Sequence, residues 1–197
     1  MSVDLVLATL SESIALHERA KQHPEPVVDA ASVIIASLAR GGKVLAFGNG
    51  GSAADAQHLA AELVGRFQRR RAALAAIALT TDTSVLTSVS NDFSFDQVFA
   101  RQIEALGRPG DVALAISTSG GSANVVRALD AARERELVTV ALTGGDGGAV
   151  GRAAAVHVNV PSGIVARVQE VHRTLLHAMC QLVEEALTQP EGEGLDR

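Results

Sequence analysis

The strongest constraint on the fold is a pattern that recurs along the chain. A short apolar run ends in a Gly- and Ser-rich turn, and an Ala-rich helical stretch follows. Such runs enter their turns at 43–47, 111–116 and 138–142, and two more apolar runs lie at 74–79 and 155–160. Apolar strands that alternate with helical stretches form βαβ units, whose strands pair in parallel. The pattern therefore predicts a doubly wound α/β fold, with a mainly parallel five-stranded sheet flanked by helices.

The first 40 residues do not follow this pattern and indicate two helices. Apolar residues recur there at close to helical spacing, and Pro24 and Pro26 interrupt them. Pro26 suits the first turn of a second helix, because a helix needs no backbone N–H at that position. We therefore expect an N-terminal helical extension at 1–40, one α/β domain at 41–188 and a disordered tail at 189–197.

Composition argues against several classes of function. The net charge is −5 and the pI about 5.7, whereas a protein that binds a nucleic-acid backbone needs positive charge. Aromatic residues make up 3% of the chain, and without Trp or Tyr there is little for bases to stack on. No apolar run approaches the roughly 18 residues that span a bilayer, and the start lacks the basic region of a signal peptide. With Cys180 as its single cysteine, the chain is expected to be cytoplasmic, without nucleic-acid or membrane partners.

Two of the Gly- and Ser-rich turns are predicted to bind phosphate. They are Gly48-Asn49-Gly50-Gly51-Ser52 and Ser117-Thr118-Ser119-Gly120-Gly121-Ser122. Backbone N–H groups and the helix dipole favour an anion where a strand leads into a helix, and ligands of such sheets bind at that same edge. The second turn carries four hydroxyls and no lysine, which suits a monophosphate ester better than a nucleoside triphosphate. These serines could equally be ordinary turn and N-cap residues.

Two helices carry candidate metal-binding or acid–base side chains. His58 and Glu62 are four residues apart on the helix that follows the first turn, so they share a face. Gln169 and His177 lie on one polar side of the last helix. Two imidazoles, a carboxylate and an amide could together hold a divalent ion such as zinc. The spacing also fits two solvated helix faces, and it does not show that the two helices meet.

Several longer motifs follow one another along nearly the whole chain. They are Gly48-Asn49-Gly50-Gly51-Ser52 with His58, Glu62 and Arg66; Ser90-Asn91-Asp92-Phe93; Ile116-Ser-Thr-Ser-Gly120; Leu142-Thr-Gly-Gly-Asp-Gly-Gly148; and Val168-Gln169-Glu170-Val171-His172 with His177. In this order they closely resemble the signature of phosphoheptose isomerases, within the sugar-isomerase (SIS) domain superfamily. The resemblance implies a SIS fold and an aldose–ketose isomerase. The implied reaction converts D-sedoheptulose 7-phosphate to D-glycero-D-manno-heptose 7-phosphate through an enediol, the first step toward nucleotide-activated heptoses.

The resemblance also implies a homotetramer with active sites between subunits. It implies one zinc ion per site, held by His58, Glu62, Gln169 and His177. The substrate contacts that it implies are Asn49, Gly50, Gly51, Ser52, Glu62, Asn91, Asp92, Ser117, Thr118, Ser119, Ser122 and Gln169. A ketose–aldose shift needs a base and a stabilised oxyanion. We assign Glu62 as the base and His177 as the partner acid or second proton carrier.

Some positions depart from the family pattern, and two other functions stay open. Gly121 stands where the family usually has Asn, and Ala166 stands where many relatives carry a polar or acidic residue. The run Arg69-Arg70-Arg71 is expected to be a solvated turn. One alternative is a non-catalytic relative that binds the bacterial replication initiator protein, although that branch lacks a Glu at the position of Glu62. The other is a SIS isomerase of a different sugar phosphate.

Overall fold

The computed structural model describes residues 2–188, and the expected tail at 189–197 lies outside them. A five-stranded sheet forms its centre, with the order β2-β1-β3-β4-β5 and parallel pairing throughout. The strands are β1 (Val44–Gly48), β2 (Ala76–Ala78), β3 (Val112–Ser117), β4 (Val138–Gly144) and β5 (Val156–Val160). The predicted fold class is therefore confirmed, with each strand near its expected place.

Eight α-helices surround the sheet in the described part of the chain. They are α1 (Val3–Ala20), α2 (Glu25–Ala39), α3 (Gly51–Val64), α4 (Thr83–Asp92), α5 (Ala100–Leu106), α6 (Ala123–Glu134), α7 (Gly148–Ala153) and α8 (Val165–Leu187). The two helices expected before residue 41 are present as α1 and α2. The boundary between an extension and a domain at that point stays a prediction. Within residues 2–188, no helix is long and apolar enough to cross a membrane.

The sequence pattern misplaces two helical segments. The sequence pattern predicts that Ser90-Asn91-Asp92 precedes one helix from Phe95 to about Leu106. The structure instead has a 3-10 helical turn at Phe95–Gln97 followed by α5. The pattern also misses α4, which has no buried residue and begins where the Asp82 side chain accepts a hydrogen bond from the Val85 N–H at 3.0 Å. Asn91 and Asp92 therefore close α4 and precede the helical turn that begins at Phe95.

Alternate residues of the strands face two separate helical layers. In β3, Val112, Leu114 and Ile116 join a buried cluster with α2, α3 and α8, whereas Ala113 and Ala115 join a cluster with α5 and α6. Every residue of β1 and β3 is buried, as expected for parallel strands that are covered on both faces. Because α3 and α8 belong to the same layer, they lie side by side beneath one face of the sheet.

Helix α1 packs on the outside of α8. Its Leu16 is buried in a small cluster with Val160, Val168 and Val171. The other large apolar side chains of α1 are more than half exposed, namely Val3, Leu5, Val6, Leu7, Leu10 and Ile14. This helix therefore has an apolar side that the single chain leaves uncovered.

Close backbone contacts hold the turns together at the carboxyl edge of the sheet. Gly120 has φ +64°, and a Cβ there would collide with the carbonyl group of Gly147. A Cβ on Gly48 would lie 2.6 Å from the carbonyl oxygen of Ile116. Glycine at these two positions therefore lets the first two Gly- and Ser-rich turns approach their neighbours.

We expect Gly120→Ala to lower the free energy of unfolding by at least about 2 kcal/mol, because alanine is strained at this φ and its Cβ meets backbone. The matched control is Gly121→Ala, since a Cβ on Gly121 meets nothing closer than 4.0 Å. Its effect should stay within about 0.5 kcal/mol. Urea unfolding of both variants measures the difference, and equal losses would contradict the packing described here.

Candidate functional site

The turns after β1 and β3 meet at the point where the sheet reverses its strand order. In an order of this type, the crevice between the first and third strands is the expected ligand site. Asn49 and Asn124 join the two turns through a reciprocal pair of side-chain amide hydrogen bonds, both 2.9 Å long. The two predicted phosphate-binding turns therefore form one continuous surface.

The hydroxyls of the second turn form their own small network. Ser117 Oγ lies 3.2 Å from Ser122 Oγ, and the Gly121 N–H donates to Ser119 Oγ at 3.3 Å. Ser122 occupies the N-cap position of α6, but its side chain caps no backbone N–H. Ser122 is therefore an N-cap residue by position, and its hydroxyl bonds within the turn instead of capping the helix. The first turn of α6 can offer its N–H groups to an anion.

Helices α3 and α8 run parallel and touch at three successive levels. At the first level, the Gln169 side chain packs so closely on Gly51 that a Cβ there would lie 2.8 Å from Gln169 Cδ. One turn later, Arg173 Nε donates to Asp55 Oδ1 at 2.8 Å.

The third level, one more turn along both helices, brings the His58 and His177 Nε2 atoms to 2.7 Å. The two helices therefore meet within one chain, which the sequence spacing alone does not show.

The third level gathers three possible metal ligands. His58 Nε2 lies 3.4 Å from Glu62 Oε1, and the ligand atoms of His58, Glu62 and His177 all lie within 4.8 Å of one another. The three side chains are half-buried. Two imidazole nitrogens and a carboxylate oxygen are a donor set that zinc accepts, and their convergence on one point fits such an ion. We call these three residues the His–Glu–His cluster.

Electrostatics keeps His58 available as a ligand. Burial lowers the pKa of His58, and the Arg173 guanidinium lowers it further, while the Glu62 carboxylate acts in the opposite direction. The net pKa lies below the ordinary value for histidine. The imidazole is therefore neutral near pH 7, the form that binds metal ions.

Gln169 lies at the other end of this helix pair. It precedes His177 by eight residues, which is about 12 Å along a helix. Its side chain instead lies over Gly51, beside the first phosphate-binding turn. Within one chain, the structure thus joins three of the four predicted metal ligands. A role for Gln169 at the metal stays a prediction.

A cavity of about 600 Å³ lies between α1, α3 and α8. Its lining includes His17, Gly51, Asp55, Ala166, Gln169 and Arg173. Ala166 contributes only a methyl group to this lining. The cavity connects the first phosphate-binding turn to the second level of the helix pair.

The remaining predicted substrate residues differ in exposure. Ser52 and Ser117 are buried, Thr118 is half-buried, and Gly50 and Ser119 are exposed. Asn91 and Asp92 are exposed at the end of α4, where the Asn91 side chain donates to Asp92 Oδ1 at 2.8 Å. Their predicted contact with substrate remains untested by the single chain.

Sequence reasoning missed two buried polar residues of the helix pair. Asp55 is 3% exposed and forms an ion pair with Arg173. The sequence pattern that could have indicated this pair is an acidic residue one turn before His58 on α3 and a basic residue one turn before His177 on α8. His172 is fully buried, and its Nε2 lies 3.0 Å from the carbonyl oxygen of Thr143, at the end of β4. Burial lowers the pKa of His172.

Known proteins match this fold and these motifs over nearly the whole chain. The SIS domain family model matches residues 10–144. A phosphoheptose isomerase of Bordetella avium is 53% identical over 180 residues, covering 89% of this chain and 91% of that protein. The structure of phosphoheptose isomerase GmhA from Neisseria gonorrhoeae has a TM-score of 0.88 at 49% identity, covering 92% and 98% of the two chains.

A phosphoheptose isomerase structure from Francisella tularensis is also similar. It has a TM-score of 0.90 at 36% identity and covers 94% of this chain and 99% of that one. Matches of this identity and coverage show the family of this chain. The chain therefore belongs to the phosphoheptose isomerase family of SIS-domain proteins.

Proposed function

We propose that this enzyme converts D-sedoheptulose 7-phosphate to D-glycero-D-manno-heptose 7-phosphate, the first step toward nucleotide-activated heptoses. The observation that carries the proposal is the parallel packing of α3 and α8, which gathers His58, Glu62 and His177 toward one end of a helix pair whose other end meets the predicted phosphate-binding turns. The presence of Glu62 in this cluster favours an enzyme over the initiator-binding branch. Relatives at about half identity are phosphoheptose isomerases, which favours this substrate over other sugar phosphates.

The phosphate would bind at the turns after β1 and β3. Backbone N–H groups at the start of α6 and the hydroxyls of Ser117, Thr118, Ser119 and Ser122 offer neutral donors. Asn49, Gly50, Gly51 and Ser52 would contact the substrate from the first turn, and Asn91 and Asp92 from the end of α4. Local donors are necessary because a chain of net charge −5 does not attract an anion through its overall field.

The proton transfers would fall to Glu62 and His177. Glu62 removes the proton from C1 of the ketose, which gives an enediol, and returns a proton to C2. His177 donates a proton to the oxygen on C2 and accepts the proton from the oxygen on C1. No atom is gained or lost, so the two groups end the cycle in their starting forms.

A zinc ion, one per active site, would be held by His58, Glu62 and His177. Because a metal-bound carboxylate is a weaker base and a metal-bound ring nitrogen carries no proton, Glu62 and His177 would be free of the ion while they transfer protons. When bound, zinc would polarise the substrate carbonyl as a Lewis acid. Gln169 would supply the fourth ligand and a substrate contact from a neighbouring subunit, because its distance from His177 along α8 is too great within one chain. In this proposal the active sites would lie between subunits of a homotetramer. The uncovered apolar side of α1 supports such an assembly.

Composition is the support for the expected partners. The acidic pI and the near absence of aromatic residues support the proposal that the enzyme has no nucleic-acid or membrane partner. A cytoplasmic location stays a prediction, as does the division into an extension at 1–40 and a SIS domain at 41–188.

Turnover of sedoheptulose 7-phosphate, followed by NMR, tests the reaction and its base together. We expect the wild-type protein to form the heptose phosphate and Glu62→Gln to lose at least about 10²-fold in kcat, since the amide cannot accept the proton. Binding of the sugar phosphate to the variant should persist. Glu134→Gln, at an exposed position, is the control. Retention of a tenth of the rate by Glu62→Gln would locate the base elsewhere.

Metal removal tests the His–Glu–His cluster. A chelator should abolish turnover, and added zinc should restore it with about one ion per chain. His58→Ala should weaken zinc binding by at least about tenfold, because it removes one of the imidazole ligands. His23→Ala, which changes an exposed histidine outside the cluster, is the control. Equal zinc affinity in both variants would contradict the assigned ligands.

Light scattering and subunit mixing test whether active sites are shared. We expect a particle of four 20.3-kDa chains. Glu62→Gln and Gln169→Ala should each be inactive, and tetramers reassembled from both should regain part of the activity, because some sites then receive both native residues. A stable and fully active monomer would contradict shared sites.

A further inference from the structure

The third arginine of the basic run is not a solvated residue. The Arg71 side chain is only 4% exposed, so the expectation of a solvated turn is wrong at this position. Its guanidinium donates to the carbonyl oxygens of Glu62 at 2.7 Å and Leu63 at 2.9 Å. These carbonyls belong to the last turn of α3, where no further helical N–H is available to them. Arg71 therefore closes the carboxyl end of the helix that carries Glu62.

Glu184 of α8 binds the loop that leads to Arg71. Its carboxylate is 3% exposed and accepts hydrogen bonds from the backbone N–H groups of Phe67 at 3.1 Å, Gln68 at 2.8 Å and Arg69 at 2.9 Å. Arg71 Nε lies 3.2 Å from Glu184 Oε1 as an ion pair. Arg71 and Glu184 thus join the carboxyl end of α3 to α8.

The same connection reaches His177. Glu184 follows His177 by seven residues, so two helical turns bring both onto nearly the same face of α8. Phe67, whose N–H is held by Glu184, packs its ring against the His177 ring with 5.6 Å between centroids. The loop at 67–69, which Glu184 binds, therefore holds Phe67 against one side of the His177 imidazole. His58 contacts the Nε2 atom of the same ring.

A buried ion pair is a poor source of net stability, because desolvation costs about as much as the attraction returns. Its contacts indicate another effect. Arg71 fixes the backbone of Glu62, and Glu184 fixes Phe67 against His177. The pair therefore connects the two side chains that must act on the same substrate.

We propose that Arg71 and Glu184 are positioning residues that set the separation of Glu62 and His177 in the active site. The proposal rests on the proposed roles of those two residues in the isomerase reaction. A displacement of about 1 Å at reacting groups can cost about 10²-fold in rate. The phosphate-binding turns lie at the other end of the helix pair, so loss of the connection should affect kcat far more than KM.

The test compares Glu184→Gln with Glu185→Gln, which changes the next residue at an exposed position. Both are assayed with sedoheptulose 7-phosphate at saturating zinc, well below their unfolding temperatures. Glu184→Gln should lower kcat at least tenfold with KM within about threefold, and Glu185→Gln should match the wild type. Unchanged kcat in folded Glu184→Gln, or equal changes in kcat and KM, would overturn the proposal.

A second readout is the affinity for zinc without substrate. Glu184→Gln should weaken it at least tenfold relative to Glu185→Gln, and equal affinities would count against the positioning role. This readout does not require turnover, so an absence of activity in the wild type would defeat the proposed function and leave the positioning role testable.

If Glu184→Gln does not fold, Phe67→Leu replaces it as the test. That variant keeps the backbone hydrogen bonds to Glu184 and removes the ring that packs on His177. It should show the same selective loss of kcat. Wild-type kcat in Phe67→Leu would overturn the proposed connection.

Discussion

The parallel packing of α3 on α8 is the interaction on which the site depends. Both helices follow strands of one parallel sheet and cover the same face of it. They therefore run in the same direction, and successive turns of one helix contact successive turns of the other. Three contacts one helical turn apart mark this alignment, from Gly51 with Gln169 to His58 with His177. Each helix alone would present a polar stripe to solvent. Together they bring three ligand atoms to one point.

The site reconciles an acidic protein with an anionic ligand by local means. Neutral donors at the starts of helices and in the serine-rich turn can bind phosphate without a net positive charge. Farther along the same helix pair, burial and the Arg173 guanidinium lower the pKa of His58 and keep its imidazole uncharged. In the proposed function, phosphate and metal would therefore bind at separate places along α3, the phosphate at the turn before its start and the metal at the candidate ligands toward its end.

The sequence predicts those features of the fold and the site that depend on residues close together in the chain. Strands and glycine-rich turns were predictable, because burial on both faces and tight turns each leave a local pattern. Helix α4 was not, since it has no buried residue to give an apolar period. The pairs Asp55–Arg173 and Arg71–Glu184 were also not predictable, because each joins residues more than a hundred positions apart. Local spacing could place His58 beside Glu62, but only the fold could place His177 beside both.

X-ray absorption at the zinc edge would test most directly whether these helices build one metal centre. The account predicts a spectrum with two imidazole nitrogens and carboxylate oxygen at about 2.0–2.1 Å, and loss of one imidazole contribution in each of His58→Ala and His177→Ala. A zinc ion without histidine ligands, or a spectrum unchanged by both substitutions, would contradict it.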